Sequence, residues 1–170
     1  MRYASIRKMD ISNGEGIGVA LFVQGCNRHC YNCFNPETWN FNGGKVWDRE
    51  VHNQFIELVM KPSTQRVSIL GGEPLAPENR TIVTGLLADV KNVHSGSIKT
   101  WLWTGYKFED IKSLEAMKYI DYLIDGEYID SLRDIKLKWR GSSNQSVIDV
   151  QRSLQNNTVI LLGGNNYVGT

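Results

Sequence analysis

Cys26, Cys30 and Cys33 lie within one stretch of eight residues and are the only cysteines of the chain. Thiolates in close sequence are the ligands that zinc and iron–sulfur clusters take. A cubane cluster has four irons and is ordinarily held by four thiolates. Three thiolates leave one iron without a protein ligand and open to a small molecule, much as a catalytic zinc keeps one position free. His29 offers an alternative, a zinc site of three cysteines and one histidine, although its adjacency to Cys30 is awkward for two ligands facing one metal. A second chemical feature is Gly71-Gly72-Glu73-Pro74. Glycines at the end of a strand let backbone groups approach a ligand closely, and the Glu73 carboxylate can accept from an ammonium group. The same four residues also make a tight strand-to-helix turn that ends at Pro74.

These residues need elements that bring them together. Arg2–Asp10 reads as a first strand, followed by a turn at Asn13-Gly14-Glu15-Gly16. Val19–Val23 is a short apolar run, the signature of a buried strand, and it leads directly into the cysteine loop. Asp48–Met60 carries apolar residues at helical spacing, with Asp48 as N-cap and Pro62 as the stop. Arg66–Leu70 is the next strand and Glu78–Val93 the next helix. They are followed by a strand over Ile98–Thr104, a helix over Phe108–Met117 and a strand over Ile120–Ile124. Ser146–Leu154 reads as a short helix and Thr158–Leu162 as a possible last strand. The alternation of strand and helix predicts an α/β fold with a parallel sheet and right-handed crossovers. About five or six strands are too few for an eight-stranded barrel of ~250 residues, so the expectation is a single-domain, open, incomplete (β/α) barrel of mainly parallel strands. In such sheets ligands gather beyond the carboxyl ends of the strands. The turns at 25–33, 71–74, 104–106 and 125–127 all fall at that end.

The spacing C-x3-C-x2-C, with the Gly71–Glu73 turn downstream, resembles the radical S-adenosylmethionine (SAM) superfamily. Further segments narrow the likeness: Asn13-Gly14-Glu15-Gly16, Leu21–Cys26, Gly71–Leu75, Trp103-Thr104-Gly105-Tyr106, Leu123–Gly126 and Trp139–Gln145. In that order, over about residues 10–150, they are similar to the activating proteins of anaerobic ribonucleoside-triphosphate reductase, a family of glycyl radical enzyme activases. Gly18 departs from the pattern, where a basic residue is expected. The resemblance implies a [4Fe–4S] cluster on Cys26, Cys30 and Cys33, with S-adenosyl-L-methionine chelated at the free iron. It assigns cofactor contacts to Asn32, Cys33, Phe34, Gly71, Gly72 and Glu73, the last toward the methionine amino group. By the same resemblance one electron breaks a carbon–sulfur bond of the sulfonium. Methionine and a 5′-deoxyadenosyl radical form, and the radical takes a hydrogen from a glycine of the large catalytic reductase subunit. A carrier such as flavodoxin or ferredoxin is the implied electron donor. Asp125 is a candidate for a ribose hydroxyl or the SAM amino group, and equally for capping the next turn. Arg140 is a candidate for the adenosine part of SAM or for the protein partner, beside Ser142-x-x-Gln145, which has the form of a capping box before the last helix. Two other functions stay open: activation of a different glycyl radical enzyme such as pyruvate formate-lyase, and a non-enzymatic zinc-binding adaptor.

Composition sets the outer bounds. The chain has 170 residues, 41% apolar and 22% charged, within the ordinary range for one globular domain. A formal net charge of +1 gives no broad field for nucleic acid or anionic lipid. No apolar run approaches the ~20 residues that cross a bilayer, and the first residues carry no apolar leader. Three cysteines cannot all pair, so the expected compartment is a reducing cytoplasm. Gly14-x-Gly16-x-Gly18 precedes a strand instead of joining strand to helix, so the dinucleotide-loop logic fails. Lys136, Lys138 and Arg140 form a small basic cluster suited to a solvated face or to an acidic electron carrier. His52 and His94 suggest no catalytic set.

Overall fold

The structure is a computed structural model and describes residues 1–163. Seven strands form one open sheet: β1 (Arg2–Asp10), β2 (Gly18–Val23), β3 (Lys45–Val46), β4 (Arg66–Gly71), β5 (Lys99–Trp103), β6 (Tyr122–Asp125) and β7 (Ser146–Asp149). Their spatial order is β3-β1-β2-β4-β5-β6-β7. The centre, β2-β4-β5-β6, is parallel. The margins are antiparallel, β3 and β1 on one side and β7 on the other. The sheet is therefore mixed, with more strands than the sequence suggested and fewer of them parallel.

Helices α1 (Arg49–Val59) and α2 (Pro77–Val93) are the crossovers between the central strands. The Asp48 side chain accepts from the Val51 N–H, which is the capping bond that starts α1. Alternate residues of the central strands build the main core. Val19, Leu21, Val67, Ile69, Leu102 and Leu123 pack against Phe55 and Val59 of α1 and Val83, Leu86, Leu87 and Val90 of α2. The intervening residues face the other way, where Ala20, Phe22 and Leu70 make a smaller cluster with Trp103 against it.

Two helices of the sequence reading change form. The segment expected as one helix over 108–117 is a single turn, α3 (Phe108–Ile111), then a separate 3-10 turn over Glu115–Tyr119. Leu114 between them is extended, at ψ 142°, and Ala116 and Met117 are thereby turned into the core. The segment expected as a helix over 146–154 begins as strand β7, and only Val150–Asn156 is helical (α4). Ser146, Ile148 and Val150 are buried in alternation, a period of two that a pairing with β6 satisfies. Asp149 then caps α4 by accepting from the Arg152 N–H. Among the described residues the expected strand at 158–162 keeps an isolated bridge, Ile148 to Leu161, instead of a named strand. No helix among the described residues is long and apolar enough to cross a membrane.

The amino ends of the central strands are sealed by an ion pair. Arg66, fully buried, donates to Asp10 Oδ1 at 2.7 Å and to the Asp10 carbonyl at 3.0 Å. A side chain at Gly18 would place its Cβ 2.4 Å from Arg66 Cγ. The missing side chain at that position is what admits Arg66.

Candidate active site

The opposite, carboxyl ends of β2, β4, β5 and β6 converge on one cavity of about 130 Å³. Cys26, Cys30 and Cys33 line it together, and all three thiols are free. The loop leaves β2 through Gly25, at φ +98°, where a Cβ would lie 2.1 Å from the Phe41 ring, so only glycine fits. Its path is held by backbone bonds, Gly25 N–H to the Thr38 carbonyl at 2.7 Å and Cys26 N–H to the Trp39 carbonyl at 3.0 Å. The Arg28 N–H points at Cys26 Sγ and the Asn35 N–H at Cys33 Sγ, each at 3.4 Å. Such N–H groups stabilise sulfur that carries negative charge. Burial pushes the Cys26 thiol up despite the N–H groups of Arg28 and His29. Burial and the neighbouring Glu127 carboxylate push Cys30 up to about 11, against the N–H of Tyr128. Without metal the Cys26 and Cys30 thiols are therefore protonated at neutral pH, and binding a cation to them releases protons.

The three cysteines share one cavity, and the sequence has no fourth cysteine to join them. Among the described residues no three His, Cys, Asp or Glu side chains converge tightly enough to hold one metal ion. In a cubane each thiolate takes a different iron, so the sulfurs stand further apart around a shared space. His29 does not line the cavity; its imidazole stacks on Trp39, with centroids 4.6 Å apart and planes at 30°. That removes the fourth ligand of the zinc alternative.

Gly71, Gly72 and Glu73 form the wall contributed by β4. Close backbone approach is the reason for both glycines. A Cβ on Gly72 would sit 2.4 Å from the Gly25 carbonyl oxygen, and one on Gly71 2.8 Å from that of Val23. The Glu73 N–H donates to the Gly25 carbonyl at 2.7 Å, binding this turn to the cysteine loop. The Glu73 carboxylate is buried. Its Oε1 accepts from Leu75 N–H (3.0 Å) and Thr104 Oγ1 (2.8 Å), and Oε2 from Gly105 N–H (2.8 Å). A carboxylate has about four acceptor positions, so one remains for a ligand's ammonium. Burial raises the Glu73 pKa; the three donors and the Arg28 charge work in the opposite direction.

The remaining sequence candidates divide. Phe34 lines the cavity, whereas Asn32 does not and its amide reaches Asp130. Asp125 is committed to backbone: it accepts from Phe108 N–H at 3.0 Å and Ser146 N–H at 3.2 Å, starting α3 and β7, and it is not on the cavity wall. Arg140 lines an adjoining cavity of about 340 Å³ that shares Phe34, Trp103 and Tyr128 with the first. Its guanidinium donates to the Gln145 carbonyl. Ser142 and Gln145 do bond each other as a box, with Gln145 Oε1 accepting from the Gly141 (2.9 Å) and Ser142 (3.2 Å) N–H groups, but a strand follows, not a helix. Sequence reasoning missed Arg28 and Tyr128 on the cavity wall. The Arg28 guanidinium sits 4.2 Å over the Tyr106 ring, and its place between two candidate ligands was the signal that could have found it. Tyr128 had none beyond following the turn after β6.

Thiols without a fourth protein partner, set at the carboxyl ends of a mostly parallel sheet centre, define a cluster-binding α/β protein. Residues 12–148 match the model of the family described as a 4Fe-4S single cluster domain. The chain is 43% identical over 145 residues to the anaerobic ribonucleoside-triphosphate reductase-activating protein of Enterobacteria phage T4, covering 85% of this chain and 92% of that one. Proteins of the same name from Salmonella typhimurium and Escherichia coli K12 are 37% and 34% identical over 153 and 151 residues, in each case 86% of this chain and 97% of theirs. The chain belongs to this family of anaerobic ribonucleoside-triphosphate reductase-activating proteins, which carry the single-cluster domain.

Proposed function

We propose that Cys26, Cys30 and Cys33 hold a [4Fe–4S] cluster and that the chain is a radical SAM activase for the large catalytic subunit of anaerobic ribonucleoside-triphosphate reductase, on which it creates a glycyl radical. The observation that carries this reading is the shared cavity: three thiols face Gly71–Glu73 across one space and the chain has no fourth cysteine. When bound and reduced, the cluster supplies the electron that splits SAM into methionine and a 5′-deoxyadenosyl radical, which then takes hydrogen from the target glycine. The chain's own residues bind, orient and enclose. Glu73 offers its remaining acceptor position to the methionine ammonium. Gly71 and Gly72 let the ligand lie against backbone. Trp39, Phe34 and Trp103 supply apolar surface to the cavity wall.

The open sheet is read as an incomplete barrel whose uncovered side admits a polypeptide loop of the reductase. That reading is supported by the adjoining cavity with Trp103, Trp139 and Arg140, which lies against Phe22 and Leu70 of the smaller cluster, away from the main core. A one-electron carrier such as flavodoxin or ferredoxin is the donor, in a reducing cytoplasm. The test is anaerobic reconstitution with iron and sulfide, followed by reduction and addition of SAM. A SAM-dependent change in the electron paramagnetic resonance of the cluster is expected, and glycyl radical formation only when the reductase subunit is present. A reconstituted, reduced protein whose spectrum ignores SAM contradicts the proposal.

A further inference from the structure

Between Cys30 and Cys33 the backbone of Asn32 is left-handed, at φ +54°. Asparagine tolerates that region better than most residues, but its side chain also has a partner. Asn32 Nδ2 donates to Asp130 Oδ2 at 3.0 Å, a contact between residues 98 positions apart. The other oxygen, Asp130 Oδ1, accepts from the Tyr128 hydroxyl at 2.6 Å. Tyr128 lines the cysteine cavity, and its ring packs on Phe34 with centroids 4.9 Å apart. The Arg133 guanidinium lies 5.4 Å from the centroid of the same Phe34 ring. The segment 126–132 thus forms a strap over the second half of the cysteine loop.

The strap is anchored to the body of the protein independently of that loop. Gln145 Nε2 and Asn144 Nδ2 donate to the carbonyls of Gly126 and Glu127, each at 2.8 Å. Ser142 Oγ accepts from Ile129 N–H at 3.2 Å, and Ser143 N–H donates to the Leu132 carbonyl at 2.9 Å. Asp130 joins a fixed strap to a loop whose own backbone is bent into an unusual conformation. An exposed hydrogen bond such as this one adds little to the stability of a whole chain, so its value is local order.

We propose that Asp130 is a positioning residue for the cluster: its two carboxylate oxygens tie Asn32 to Tyr128 and so hold Cys30 and Cys33 where the iron needs them. This role rests on the three cysteines being the cluster ligands. It predicts that Asp130→Ala and Asn32→Gly have the same effect, because glycine keeps the left-handed backbone and removes only the amide. The full chain and these variants, singly and combined, are reconstituted anaerobically with iron and sulfide. Three quantities are read: iron loss to a chelator, the midpoint potential of the cluster, and thermal melting of the metal-free chain. Outer residues that orient metal ligands alter metal retention by roughly 10–100-fold. Each single variant should lose iron about 10-fold faster or more with a displaced potential, the double variant no faster than either single, and the metal-free melts should coincide with that of the parent. Asp130→Asn, which keeps one acceptor oxygen, should fall between.

Parent-like iron retention and potential in Asp130→Ala overturn the role, as do additive effects in the double variant. A metal-free melt lowered in step with iron loss makes Asp130 a general structural residue and also overturns it. A parent chain that takes up no iron and sulfide removes the cluster assignment itself, and this role with it.

Discussion

Glu73 has two sets of neighbours to satisfy. Its two oxygens already take three donors, from Leu75, Thr104 and Gly105. Glutamine in its place has one acceptor oxygen and an NH2 group that meets either the Leu75 or the Gly105 N–H head on. Leaving a buried donor unpaired costs about 1–3 kcal/mol. Glu73→Gln is therefore expected to lower the melting temperature measurably in the metal-free chain and, separately, to weaken SAM binding by the reconstituted protein. Calorimetry of both forms checks this; unchanged SAM affinity would free Glu73 from its proposed ligand role. The cysteines behave differently. Their substitution leaves small cavity-facing side chains with few packing contacts to lose. Alanine at Cys26, Cys30 or Cys33 should leave the metal-free melt close to that of the parent while abolishing SAM cleavage, assayed as 5′-deoxyadenosine release.

At the scale of elements, the site depends on strand ends packed backbone to backbone. Gly72 lies over the Gly25 carbonyl with no room for a methyl group. Gly72→Ala must push the β4 turn away from the cysteine loop and break the Glu73–Gly25 bond. Overpacking of this kind costs about 1–3 kcal/mol, and here it acts directly on the cavity, so iron uptake should fall along with stability. Leu86→Ala in α2 supplies the contrast. It opens a core cavity far from the thiols at about 2–5 kcal/mol, and iron uptake by the folded fraction should be normal. Comparing iron per folded chain in the two variants separates site from scaffold. The same elements explain what the sequence could reveal. Strands β1, β2, β4 and β5 and helices α1 and α2 were legible because apolar residues recur at strand or helix period over long enough runs. Strand β7 was not, since Val147, Ile148, Val150 and Leu154 fit one helical stripe as well as a strand that turns into a helix at Asp149. Strand β3 is two exposed residues and has no pattern. At the site, the cysteine loop and the β4 turn were visible from spacing and glycine content. The clamp of Asn32 to Asp130 was invisible, because pairing across 98 positions leaves no local trace.

The molecule as a whole separates its two ends. The carboxyl ends of the central strands hold the thiols, whereas the amino ends are closed by Asp10, Arg66 and the turn between β1 and β2. Gly14, at φ +112°, lets that turn lie against Trp101, 2.8 Å from where its Cβ would be. The Arg66–Asp10 pair is almost wholly buried, with side-chain exposures of 0% and 1%. Removing one partner of such a pair leaves an uncompensated charge and costs about 3–5 kcal/mol. Arg66→Met should show that loss in denaturant unfolding while the cluster bound by the folded protein keeps its spectrum. The pair also fixes how the protein responds to acid. Burial alone would raise the Asp10 carboxyl, but hydrogen bonds from Arg66 and Asn13 and the Arg66 charge outweigh it and hold it below its ordinary 3.8. A carboxyl depressed in the folded state contributes stability above its unfolded pKa, and that contribution drains away as pH falls through the lower folded value. Unfolding free energy of the metal-free chain should therefore decline as pH drops below about 4. In Asp10→Asn, which keeps one acceptor for Arg66 and cannot titrate, the curve should start lower at neutral pH and lose part of this acid slope. Parallel curves for the two proteins between neutral pH and pH 3 would remove Asp10 from the acid response and leave the sealed end to packing alone.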